Sequence, residues 1–178
     1  MKNLLFIAAV VVLFSVTSFG QGSKTDNTAP KHPSATAVSN VPIREKFDPT
    51  RDPKINLQKA VETAAKSGKH IILDVGGEWC GWCVYMDKFI AQNPTLARLR
   101  DNNFVWVKVN YSEENENPEF LSAYPAATGY PHLYVLDETG KLLQSQDTSV
   151  LEKGDGYDLS KFTAFLTKWS PEKKAVAR

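Results

Sequence analysis

Two cysteines, Cys80 and Cys83, are the only ones in 178 residues, and they stand where a strand-like run gives way to a helix-like one. Ile71 to Val75 is a short apolar run closed by Gly76-Gly77-Glu78, and Val84, Met86, Phe89 and Ile90 then recur at helical spacing. Cys80 therefore falls at a helix N-terminus, where unpaired amides and a partial positive charge favour a thiolate over a thiol. The thiolate is the species that attacks a disulfide. Cys83 lies almost one turn later, on the same side and one step deeper, where it could attack a mixed disulfide formed on Cys80.

Such a pair has three readings: a stabilising crosslink, half of a metal site, or a redox centre. A ring closed across four residues gains only about 2 kcal/mol in the chain-entropy model, against ~3 for a 15-residue loop, so it is a poor crosslink. A zinc site needs two further ligands. Of the three histidines, His32 lies in a polar stretch, and His70 precedes the strand, roughly 13 Å from Asp74 at ~3.3 Å per residue. Only His132 remains, and one histidine does not complete a site. No metal and no cofactor are expected, and the redox reading is preferred.

The rest of the chain supplies a compact α/β pattern. Asp52-Pro53 is a helix start, with a capping side chain before proline at the first helical position. Ile55, Ala60, Val61, Ala64 and Ala65 give its apolar stripe, and Ser67-Gly68 ends it. The helix after the cysteines ends near Asn93-Pro94. Phe104 to Val109 reads as a buried strand, Pro118 to Tyr124 as a short helix, and Pro131 to Leu136 as another strand. Asp137-Glu138-Thr139-Gly140 is a hairpin turn, with Lys141 to Ser145 as the returning strand. A last helix from about Asp158 to Trp169 presents Leu159, Phe162, Phe165, Leu166 and Trp169. Early alternation and a late hairpin predict a mixed central sheet with helices on both faces.

Outside this domain, Met1-Lys2-Asn3 followed by an apolar run from Leu4 to Phe14 and small residues at Ser18 and Gly20 reads as a secretory signal peptide, residues 1–20. The run falls short of the roughly 20 apolar residues a spanning helix needs, so no stable membrane insertion is expected after cleavage. Residues 21–46 read as a flexible linker, 47–170 as the domain with Phe47 as a lid on its core, and 171–178 as a tail. The signal carries one base and no acid of the chain's 21 basic and 20 acidic residues, so the remainder is formally neutral. Nothing in that balance points to nucleic acid. One local asymmetry is the run of Glu113, Glu114, Glu116 and Glu119 with no base among them, read as a solvated loop.

Trp79-Cys80-Gly81-Trp82-Cys83 resembles the active site of the thioredoxin superfamily, and the likeness extends over residues 52–169. Asp74, six residues before Cys80, is similar to that family's buried acid, Lys108 to the lysine paired with it, and Pro131 to the cis-proline facing the disulfide. Phe47-Asp48-Pro49, Gly76-Gly77-Glu78-Trp79 and Met86 look like an exported bacterial subgroup. Taken singly, Asp74 is either a proton acceptor for Cys83 or a cap on nearby backbone. Lys108 alone reads as a solvated strand face, and Pro131 as a strand opening that needs no cis bond. The resemblance implies a catalytic set of Cys80, Cys83, Asp74, Lys108 and Pro131, with Trp79, Gly81, Trp82 and Tyr130 facing substrate. Trp82 departs from cytosolic thioredoxins, which carry proline there, and its free amide could bond the Cys80 sulfur. Superfamily potentials run from roughly −270 to −120 mV, a span of about 7 kcal/mol for two electrons, so Trp82 leaves the direction of electron flow to be measured. His132 and the acidic loop are further departures, both bordering the expected substrate surface.

The implied activity is thiol–disulfide exchange with client proteins in the periplasm or another extracytoplasmic space, with reduction favoured by Asp74 and Lys108. A reductant there requires electrons from a membrane-embedded thiol donor, an inference from compartment. A monomer is expected. The alternative is a redox switch that binds one client without turnover.

Overall fold

The computed structural model describes residues 44–172; the expected signal, most of the linker and residues 173–178 lie outside them. Four strands form the main sheet: β1 (His70–Gly76), β2 (Phe104–Asn110), β3 (His132–Leu136) and β4 (Leu142–Asp147). Their order is β2-β1-β3-β4. β1 runs parallel to β2 and antiparallel to β3, and β3 is antiparallel to β4. This is the mixed sheet that the pattern predicts. Its two inner strands, β1 and β3, are apolar and buried almost throughout, as strands covered on both faces must be.

Helices cover both faces. Along β1, Ile71, Leu73 and Val75 pack with Ala60 and Ala64 of α1 (Pro53–Ser67) and with Phe120 of the short α4 (Pro118–Leu121). Ile72, one step out of phase, packs with Met86 and Ile90 of α2 (Gly81–Gln92), Leu96 of α3 (Pro94–Asn103), and Phe162 and Leu166 of α5 (Leu159–Trp169). The period of two along the strand therefore assigns every β1 side chain to one layer or the other. Asp74 and Gly76 share the Ile72 face, the side on which α2 lies.

Asp52 caps α1 as expected, its carboxylate accepting the amides of Lys54 at 2.8 Å and Ile55 at 3.4 Å, and Gly68 ends it in the left-handed conformation at φ 66°. The buried stripe is narrower than expected. It runs through Pro53, Ala60 and Ala64, while Ile55 is half exposed and Ala65 faces solvent. Small residues at the contact let this helix lie close to the sheet, and a stripe centred on them turns Ile55 outward. In α5, Leu159 is likewise exposed, and Phe162, Phe165 and Leu166 supply the contact.

Two elements go beyond the sequence reading. Asn93-Pro94 ends α2 and also begins α3: the Asn93 side chain donates to Phe89 O at 2.7 Å, and Pro94 occupies a first-turn position where its missing N–H costs nothing. A 3₁₀ turn (Thr148–Leu151) leads into a small hairpin of β5 (Glu152–Lys153) and β6 (Gly156–Tyr157). It brings Tyr157 against Phe89 and Phe162.

Candidate active site

β1 delivers the chain to the cysteines. After Gly76 the backbone turns through Gly77-Glu78-Trp79, and Cys80 becomes the N-cap of α2 in extended conformation, its Sγ accepting the Cys83 amide at 3.1 Å. The donor is the Cys83 amide, three residues on, and not that of Trp82, which the motif alone suggested; an N-cap side chain can accept from either position, and here it accepts from the deeper one. Cys80 and Cys83 form a disulfide with Cα atoms 5.2 Å apart. Cys80 keeps 5% exposure and Cys83 none. An incoming sulfur thus meets Cys80 first.

The packing behind the disulfide depends on glycine. A Cβ placed on Gly76 would lie 2.5 Å from Cys83 Sγ and 3.3 Å from Phe47 Cζ. A Cβ on Gly77 would collide with Trp79 Nε1 and sit 2.8 Å from Tyr111 O, so this glycine leaves room for the hydrogen bond from the Trp79 indole to Tyr111 O at 2.6 Å. Phe47 is buried against both cysteines, the lid that the sequence suggested.

Asp74 and Lys108 are register partners across the parallel β1–β2 pair. Lys108 Nζ donates to Asp74 Oδ2 at 2.8 Å, and both side chains are buried. Lys108 is therefore no solvated strand residue. Trp106, two positions earlier on the same face, donates its indole N–H to the same oxygen at 3.0 Å. Asp74 Oδ1 has no partner among the described residues. Because Gly76 is the next position on this face, and its missing Cβ is where Cys83 Sγ packs, Asp74 lies about two strand residues, ~6.6 Å, from the point of sulfur contact.

A second carboxylate was not foreseen. Asp87, four residues after Cys83 on α2, accepts from Lys108 Nζ at 2.7 Å and from Arg44 at 2.8 Å. Arg44 also pairs with Glu78, whose other oxygen accepts the Phe47 amide at 2.9 Å. Asp74, Lys108, Asp87, Arg44 and Glu78 thus form one chain of charges from the sheet to the turn before Cys80. The Phe47 ring lies 4.1 Å from Lys108 Nζ. The i+4 spacing from Cys83 was the available signal for Asp87, since it puts both on one helix face. For Trp106 it was the i−2 spacing from Lys108.

Burial raises the Asp74 pKa first; Lys108 opposes this and Asp87 adds to it, with the net shift upward. Burial alone would lower the Lys108 pKa, but Asp74 and Asp87 outweigh it and hold the ammonium above its ordinary value. Asp74, buried beside a second carboxylate, therefore keeps its proton above the ordinary carboxylate range.

The peptide bond Tyr130–Pro131 is cis. Pro131 O accepts from Thr148 at 2.7 Å, whereas neither the amide nor the carbonyl of Tyr130 has a backbone partner among the described residues. Tyr130 stacks on Tyr111 at 4.5 Å and meets the edge of Trp79 at 5.9 Å. Trp82 forms a separate cluster with Tyr85 and Tyr157, and Gly81 is exposed with open space around it. His132 does not border the surface: it is buried, its Nε2 2.8 Å from Ser145 Oγ, with burial lowering its pKa. Among the described residues no group of three or more His, Cys, Asp or Glu could hold a metal ion.

A four-stranded mixed sheet, a Cys-x-x-Cys disulfide at a helix start and a cis-proline define a thioredoxin-fold domain. The Thioredoxin-like family model matches residues 52–138. Disulfide bond reductase DsbH of Chlamydia pneumoniae is 30% identical over 93 residues, 48% of this chain and 56% of that protein. Spermatogenesis-associated protein 20 of Homo sapiens is 35% identical over 78 residues, 42% of this chain and 10% of that protein. The chain thus spans about half the length of the first relative and a tenth of the second. Among solved structures, disulphide isomerase from Xylella fastidiosa Temecula1 superposes with a TM-score of 0.59 at 23% identity, over 71% of this chain and 97% of that one, a likeness of fold. The matched segment and the Cys-x-x-Cys arrangement fit the thioredoxin superfamily.

Proposed function

We propose that this protein is an exported thiol–disulfide oxidoreductase that reduces the disulfides of client proteins outside the cytoplasm. The observation that carries the reading is the buried Asp74–Lys108 pair on the same sheet face as Cys83, behind a disulfide of which Cys80 alone keeps any exposure. In the reduced protein the Cys80 thiolate attacks one sulfur of a client disulfide. A mixed disulfide forms and the client's other sulfur leaves as a thiolate. Cys83 then gives its proton towards Asp74, attacks Cys80 Sγ, and displaces the second client thiolate. Two electrons pass to the client, its thiolates are protonated from solvent and from Asp74, which returns to its carboxylate, and the Cys80–Cys83 disulfide remains. A carboxyl with a raised pKa suits this role, because its proton affinity lies nearer that of a thiol.

Trp79, Tyr130, Trp82 and Gly81 form the client-facing surface. The unpaired backbone of Tyr130 would hydrogen-bond an extended client chain beside Pro131, as a strand edge does. The name of the Chlamydia relative supports reduction as the direction. Export rests on the N-terminal segment, and no helix among the described residues is long and apolar enough to cross a membrane. Recycling would come from a membrane-embedded thiol donor, and the domain would act as a monomer.

The deciding measurement is the reduction potential of the pair, taken with multiple-turnover reduction of a disulfide-bonded model protein. A value near −270 mV with turnover supports a reductant. A value near −120 mV makes reduction untenable, and a stoichiometric reaction without recycling points to a redox switch.

A further inference from the structure

An open groove of about 570 Å³ adjoins the disulfide. It begins at Trp79, the residue before Cys80, and its apolar wall is made by Trp79, Tyr111, Phe47 and Pro49. Glu113, Glu114 and Glu116 line it as well. Trp79 is 59% exposed, yet its indole N–H is fixed on Tyr111 O. A large aromatic face held in water beside a reactive sulfur is the kind of anchor that binding sites use.

We infer that this groove receives the client segment flanking the target cysteine, and that the segment it favours carries lysine or arginine. The inference rests on the oxidoreductase reading and names the clients that it would select. The sign follows from the charges. Glu78 is already neutralised by Arg44, and Glu119 turns away to pair with Lys54. Glu113, Glu114 and Glu116 have no ion pair among the described residues, and no base lines the groove. The loop that carries them does not yield freely, because Asn110 holds Asn115 O at 2.8 Å, Asn117 holds Asn110 O at 2.7 Å, and Asn115 holds Pro49 O at 2.9 Å. The backbone that carries the three carboxylates is therefore held at the groove. A cationic client gains attraction there, and an acidic one is repelled.

The test uses the full chain, reduced with dithiothreitol and freed of it, against three disulfide-linked peptide dimers. The dimers are identical except that the residues flanking cysteine are lysine, glutamine or glutamate. Acid-quenched alkylation and chromatography give the second-order rate constant for each. The lysine dimer should react faster than the glutamate dimer by on the order of tenfold at low salt, and the ratio should collapse near 0.5 M salt, where exposed charges are screened. The variant E113Q/E114Q/E116Q should lose most of the ratio, while E138Q, at the β3–β4 turn, should keep it. The readout is a ratio within each protein, so any general loss of activity cancels. Equal rates for the three dimers, or a ratio unchanged in the triple variant, would overturn the inference. Failure with all three, the neutral one included, would instead overturn the oxidoreductase reading.

Discussion

Gly76 and Cys83 are in such close contact that a methyl group on Gly76 would lie 2.5 Å from the Cys83 sulfur. In the oxidised protein that sulfur is tied to Cys80 and cannot swing aside; in the reduced protein it can change rotamer. Gly76→Ala should therefore destabilise the oxidised form by about 1–3 kcal/mol, the usual cost of overpacking, and the reduced form by less. Thermal unfolding of the two redox states checks this, and equal losses in both would show that the sulfur is not the obstacle.

Only Cys80 retains exposure, which sets an order of attack. Cys83→Ser should accumulate mixed disulfides through Cys80 when challenged with an oxidised client, because nothing remains to resolve them. Cys80→Ser should trap little. Mass spectrometry of alkylated adducts reads out the site. Adducts confined to Cys83 in the reciprocal variant would reverse the assignment.

How far this site was legible in the sequence depends on the range of each interaction. Cys80 and Cys83 announce themselves because a strand, a turn and a helix are consecutive in the chain. Asp74, Lys108 and Pro131 became legible through resemblance; singly, each had an ordinary structural explanation. Asp87, Trp106 and the Arg44–Glu78 link had weak local signals, since their meaning comes from which residues the sheet and α2 bring opposite one another. The Asn93-Pro94 break was read as an ending, and the structure uses it as an ending and a beginning. Ile55 and Leu159 show the limit of counting apolar residues: each keeps its helix amphipathic on paper, while neighbouring residues make the contact.

The folded state raises the Asp74 pKa, by burial first and by Asp87 besides, against the pull of Lys108. As pH rises from the ordinary carboxylate range to that raised value, the unfolded chain releases this proton before the folded one does. The contribution of Asp74 to stability is thus fully present at low pH and is lost as pH rises through its folded pKa. Asn cannot ionise, still accepts from Lys108 and Trp106, and leaves Lys108 paired with Asp87. Asp74→Asn should be more stable than wild type at pH 7, because it carries no ionisation that folding opposes. The gain should fade near pH 3, and resolution by Cys83 should slow. Urea unfolding at both pH values decides it; a variant less stable than wild type at pH 7 would refute the account.

Asp87 acts on the cysteines through Asp74 and Lys108, since it raises the pKa of both. Asp87→Asn should let Asp74 ionise at lower pH and let Lys108 lose its proton more easily. The pH profile of the Cys83 step would then shift its acidic limb downward, because the proton acceptor is available earlier. Asp87→Glu, which restores a carboxylate, should return the profile towards wild type. A purely structural role would lower the rate at every pH without moving the limb. Carboxyl chemical shifts of Asp74, followed by NMR through a pH titration of both variants, separate the two cases: an unmoved Asp74 midpoint in Asp87→Asn would show that Asp87 only holds Arg44 and Lys108 in place.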